Sequence, residues 1–140
     1  MTTSTTKSPA FSTTTALSAK NAIVLFGHGS RDPLWHLPIQ AVAERIRGLA
    51  PDTTVTCAYL ELTPPLLPEA AAALIQAGAS NITILPMFLG VGRHAREDLP
   101  ALIAALQTDH PATKFVVQTI VGENAAVLDL LAQIAISPQE

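Results

Sequence analysis

Two histidines in this chain stand where an imidazole could meet a ligand. His28 lies in Phe26-Gly27-His28-Gly29-Ser30-Arg31, directly after the apolar run Ala22-Ile23-Val24-Leu25. His94 closes Leu85-Pro86-Met87-Phe88-Leu89-Gly90-Val91-Gly92-Arg93-His94, again an apolar run that breaks into glycines. Flanking glycines remove side-chain bulk, so backbone and bound group can come close. Glu61 ends a third such run, Cys57-Ala58-Tyr59-Leu60-Glu61. Two neutral imidazoles and a carboxylate suit a first-row divalent metal held with positions left open. They also suit proton abstraction, because imidazole titrates near neutrality and a carboxylate can orient it or balance its charge.

Three of the eight basic residues, Arg31, Arg93 and Arg96, fall within three positions of these histidines. On a chain of net charge −3 that concentration points to an anionic ligand, for which paired arginine–carboxylate contacts are effective. Met87, Phe88 and Leu89 supply an apolar wall beside the polar groups. The combination fits a large, flat, carboxylate-rich ligand that accepts a metal. Ser30 lacks the G-x-S-x-G elbow of a hydrolase nucleophile, so it reads as a hydrogen-bonding or turn residue on the ligand side. His36 and His110 stand alone near helix ends and read as surface residues, and Cys57 as a small core residue.

The elements that must position these groups follow from periodicity. Strands are expected over 22–26, 54–60, 81–85 and 114–120. Between them, Ile39, Val42, Ile46 and Leu49 recur at helical spacing, as do Leu67, Ala70, Leu74 and Ala77, with Gly78 as a stop. A third helix is read through Leu99, Leu102, Ile103 and Leu106, with Asp98 as cap and Pro100 in its first turn. Val127, Leu130, Leu131 and Ile134 mark a fourth. Strand–helix alternation at these lengths calls for parallel pairing through right-handed crossovers. The expected fold is a three-layer α/β domain over 21–136, an open, mainly parallel four-stranded sheet with helices on both faces in flavodoxin-like order. Ligands of such sheets sit beyond the carboxyl ends of the strands, which brings His28, Glu61 and His94 to one rim.

Composition bounds the rest. Residues are 49% hydrophobic but only 4% aromatic, so the core should be aliphatic. Mild negative charge argues against nucleic acid as a partner, and no apolar run is long enough to span a bilayer. One cysteine allows neither an intrachain disulfide nor a cysteine-ligated cluster, and fits a reducing, cytoplasmic setting. Residues 1–20 are rich in Ser and Thr, without an acid or an apolar period, and read as a disordered tail. Residues 137–140 form a short polar tail.

At the segments around His28, Glu61 and His94, with Asp98-Leu99-Pro100 following, the chain resembles the CbiX/SirB sirohydrochlorin chelatases. The resemblance runs from residue 22 to about 135. It implies a class II chelatase that inserts a divalent metal into the tetrapyrrole sirohydrochlorin without ATP. Co²⁺ is the first expectation, with Fe²⁺ and Ni²⁺ as alternatives, en route to cobalamin, sirohaem or the methanogen nickel coenzyme. It implies His28 and His94 as catalytic and metal-binding residues, Glu61 as the site's acid, and no permanently bound cofactor. Relatives with two such halves hold one site between them, and a single-half chain resembles the short, homodimeric form. The cluster cysteines and histidine-rich tracts of some relatives have no counterpart here. The competing reading is a metal chaperone or sensor that uses the same histidines and acid without tetrapyrrole chemistry. A nucleotide- or flavin-binding domain is disfavoured, since the first turn lacks a G-x-G-x-x-G cradle.

Overall fold

A computed structural model of the chain describes residues 20–137. The expected tail over 1–20 lies outside the described residues apart from Lys20, and 138–140 lie outside them too. Four parallel strands form one sheet in the order β2-β1-β3-β4: β1 Asn21–Gly27, β2 Thr54–Tyr59, β3 Asn81–Pro86 and β4 Lys114–Val117. The chain leaves β1 to one side for β2 and to the other for β3. The crevice beyond the carboxyl ends of β1 and β3 is therefore the topological switch point, where ligands of such sheets bind.

Alternation along β1 divides the core. Ala22, Val24 and Phe26 face one side and pack with Ala58, Ile82 and Ile84. That side is covered by α2, Leu67–Gln76, through Leu67, Ala70, Ala71 and Leu74, and by α3, Arg93–Asp109, through Leu106. Leu25 faces the other side with Val55 and Tyr59. There α1, Leu37–Leu49, contributes Ile39 and Ala43. Period-two strands and period-3.6 helices thus supply both apolar layers.

Three expectations need correction. The third helix starts at Arg93, not near Asp98. Gly92 occupies the capping position in extended backbone with no side-chain bond, so no cap residue signals the start. Pro100 consequently lies inside the helix, and His94, Arg96 and Asp98 are helical residues rather than loop residues. The fourth strand ends at Val117. The last helix, α4, Ala125–Ile136, has its apolar stripe but no buried residue.

Candidate active site

The rim is built by continuing the β1–β2 ladder past its strands. Leu60 N–H donates to Gly27 O at 2.9 Å and Glu61 N–H to His28 O at 3.2 Å. This extension places the Glu61 side chain beside His28, with Nε2 3.2 Å from Glu61 Oε2. Both side chains are more than half exposed, at 61% and 55%. A carboxylate oxygen beside Nε2 favours the tautomer with the ring proton there, which leaves the Nδ1 lone pair available.

Gly29 makes the approach of the two loops feasible. Its φ is +100°, and a Cβ there would lie 1.8 Å from the Glu61 carbonyl oxygen. A side chain on Gly27 would press against Ile39 and Tyr59 at 3.3 and 3.4 Å. The glycines flanking His28 are thus used for close packing of the second loop and of α1.

A side-chain clasp holds the same two loops. Thr63 Oγ1 donates to Ser30 O at 2.6 Å and accepts from Ser30 N–H at 3.1 Å. With its hydroxyl proton committed, Thr63 can only accept from His36, whose Nε2 lies 3.3 Å away. His36 is buried, and its ring lies 4.6 Å from that of Tyr59. The surface reading of His36 is therefore wrong: the Asp32-Pro33 start of a 3-10 turn, Pro33–His36, swings the imidazole inward. Ser30 Oγ accepts from Asp32 N–H at 3.0 Å, a turn contact. Replacing Thr63 by valine keeps the shape and removes all three bonds. The expected loss is about 1–3 kcal/mol of stability, measured by urea unfolding, with Thr63→Ser retaining most of it.

Two cavities meet at His28. One, of about 520 Å³, is mostly apolar and lined by Trp35, Ile39, Tyr59, Met87, Phe88 and Leu89 besides His28. The other, of about 350 Å³, is bounded by His28, Glu61, Phe88, Arg93 and Asp98. Phe88 is buried edge-on against Phe26, with ring centroids 5.8 Å apart, and forms the partition. Leu89 and Trp35 are exposed at the mouth of the apolar cavity. His94 is the second residue of α3; its side chain lies outside the described ones, but its backbone neighbours Arg93 and Ala95 both border the smaller cavity. Arg93 approaches Glu97 at 3.8 Å. Arg31 and Arg96 are exposed and line neither cavity.

Trp35, His36, Tyr59 and Thr63 were not legible as site residues. Asp32-Pro33, a cap followed by proline, was the one local signal that the turn carrying Trp35 and His36 would form. Cys57 lies half-buried on β2; burial pushes its thiol above the ordinary value, opposed by the Arg47 guanidinium. Burial likewise raises the Tyr59 phenol, so it stays neutral at the cavity wall. Among the described residues, no three His, Cys, Asp or Glu side chains cluster to hold a metal, and no helix is long and apolar enough to cross a membrane.

The CbiX family profile matches residues 22–136, from the first strand through α4. The chain belongs to the CbiX family. A solved CbiX protein of cobalamin (vitamin B12) biosynthesis from Marinobacter aquaeolei VT8 is 30% identical, with a TM-score of 0.70 over 83% of this chain and 93% of that one. The sirohydrochlorin chelatase SirB from Bacillus subtilis subspecies spizizenii, solved with cobalt, is 25% identical. It gives a TM-score of 0.69 over 84% of this CbiX-family chain and 50% of its own. The sirohydrochlorin cobaltochelatase of Methanopyrus kandleri is 33% identical over 82 residues, 59% of this chain and 57% of its own. The chain thus spans little more than half the length of that curated relative. These likenesses bear out the α/β architecture expected from the sequence.

Proposed function

We propose that this chain inserts a divalent metal into sirohydrochlorin without ATP, cobalt first and iron or nickel as alternatives. The observation that carries the reading is the His28–Glu61 pair standing where an apolar cavity of about 520 Å³ meets a polar one. A metal-only carrier has no use for the apolar half, whereas a macrocycle needs both a wall and a polar rim. The names and bound cobalt of the similar proteins support the same substrate class.

Insertion replaces two pyrrole N–H protons by one M²⁺, so two protons must leave as the metal enters. His28 takes one at its free Nδ1, and Glu61 steadies the resulting imidazolium. His94 is assigned to receive the other and to join His28 on the metal path. His28, Glu61 and His94 would hold the incoming divalent metal on its way to the macrocycle, their nitrogen and oxygen donors suiting a first-row ion. Met87, Phe88 and Leu89 pack on the macrocycle. Arg93, with Arg31 and Arg96 farther out and Ser30 on the first loop, serves the peripheral carboxylates. The reaction leaves no cofactor bound. Two copies form the working unit, in keeping with a matched region that covers 50% of SirB, and the single cysteine suits a cytoplasmic setting.

The test is an absorbance assay with purified protein, comparing Co²⁺, Fe²⁺ and Ni²⁺ against the uncatalysed rate. A saturable acceleration with at least one metal is expected. Metal binding with neither acceleration nor any spectral shift of metal-free sirohydrochlorin would move the assignment to a metal chaperone or sensor.

A further inference from the structure

Trp35 is the single tryptophan of a chain that is only 4% aromatic, and it is 71% exposed. A core short of aromatic rings thus leaves its largest one outside, where so large an apolar surface is unfavourable until something covers it. The exposure is not that of a loose loop. Pro33 fixes φ at the start of the turn, Asp32 Oδ1 accepts from Leu34 N–H at 3.0 Å, and Trp35 N–H donates to Asp32 O at 3.0 Å. One residue on, His36 is buried against Tyr59 and within reach of the Thr63 hydroxyl. The backbone that carries the indole is held on both sides.

The period of the turn sorts its side chains, because at about three residues per turn those three apart share a row. His36 lies on the inward row. Leu34 and Leu37, 68% and 55% exposed, share a row that borders neither cavity at His28. Trp35 and Pro38 share the third row, and both line the apolar cavity of about 520 Å³. The same cavity is bounded by Leu89, 69% exposed, on the loop after β3. That loop is anchored as well: Gly122 N–H donates to Phe88 O at 2.9 Å, and a Cβ on Gly122 would lie 1.7 Å from Leu89 O. Two exposed apolar side chains on two anchored loops therefore edge one cavity, with buried Tyr59 and Phe88 in its wall.

We propose that Trp35 and Leu89 clamp the macrocycle, the indole stacked on its conjugated face and Leu89 packed at its edge. The clamp rests on the chelatase reading above and adds to it a substrate-binding residue outside the His28–Glu61 pair. A flat conjugated ring system matches an indole, since offset π faces attract and both surfaces leave water. A bare metal ion or an aliphatic carboxylate would leave the indole uncovered, so Trp35 selects for the ring system rather than for charge. The indole nitrogen only donates, so it accepts neither pyrrole proton. Its contact is the same before and during insertion, and such uniform binding appears in KM rather than in kcat.

Titration of metal-free sirohydrochlorin into the full chain, followed by absorbance, tests the clamp. Trp35→Ala is expected to weaken binding about 10- to 100-fold and Trp35→Phe by no more than about threefold. Leu34→Ala, as exposed but off the cavity, should bind like the parent. In the insertion assay Trp35→Ala should raise KM by the same factor and leave kcat unchanged. Labelling with 2-hydroxy-5-nitrobenzyl bromide, read by mass spectrometry on the peptide that carries the single tryptophan, needs no variant. The indole should be modified in the free chain and protected at saturating sirohydrochlorin. Parental affinity in Trp35→Ala, an equal loss in Leu34→Ala, a fall confined to kcat, or labelling that the ligand does not reduce each overturns the clamp. A chain that binds sirohydrochlorin through Trp35 without inserting metal keeps the clamp and loses the chelatase reading. Insertion by Trp35→Ala at the parental KM does the reverse, and a parent chain that binds no sirohydrochlorin overturns both.

Discussion

Replacing His28 by alanine, or His94 by alanine, is expected to slow metal insertion by about 10²- to 10⁴-fold, the usual worth of a positioned proton acceptor. The fold should survive both changes. His28 is largely solvent-exposed, its ring contributes nothing to either core layer, and its backbone carbonyl, which accepts from Glu61 N–H, is retained in alanine. At His94 the substitution falls in the first turn of α3, where alanine is the better helix former. Unchanged far-UV circular dichroism beside a lost rate would therefore report chemistry rather than folding. Glu61→Gln should cost less than either, since an amide still accepts from Nε2–H but no longer balances an imidazolium. Insertion at the parental rate in both histidine variants would sink the assignment.

Gly29→Ala is expected to be severely destabilising although it leaves both core layers untouched. The new Cβ would meet the Glu61 carbonyl oxygen at 1.8 Å in a backbone at φ +100°, and that oxygen belongs to main chain that cannot swing aside. Strain at such a conformation costs of order 1–3 kcal/mol, and the clash adds to it, so a loss of about 3 kcal/mol or more follows. For a chain of this size that is roughly a 10 °C fall in Tm. Gly48→Ala is the control: Gly48 lies within α1 with nothing inside 4 Å of a Cβ. There the same methyl group should stabilise by about 0.5–1 kcal/mol. If the two variants melted together, Gly29 would not be the point at which the His28 and Glu61 loops are held.

Much of this was readable without coordinates because its causes are local. Apolar runs of strand length before Gly27 and Pro86 marked where β1 and β3 stop, and helical spacing marked the covering layers. Parallel connection alone then sent His28, Glu61 and the Gly90–Gly92 segment to one edge. The wall of Met87, Phe88 and Leu89 followed from the same run.

What escaped depended on partners distant in sequence or on signals a side chain does not carry. The start of α3 at Arg93 is set by the extended backbone of Gly92, which offers no capping side chain to read. Thr63 became the clasp only when folding brought Ser30 and His36 to its hydroxyl. His36 looked like surface until Tyr59 closed over it. Residue types and periods thus determined the sheet, its layers and the edge where chemistry gathers. Tertiary structure alone decided how the first two loops are pinned, and that the stripe of α4 finds no partner among the described residues. Burial and hydrogen bonding between distant residues are properties of the assembled surface, which no window along the chain contains.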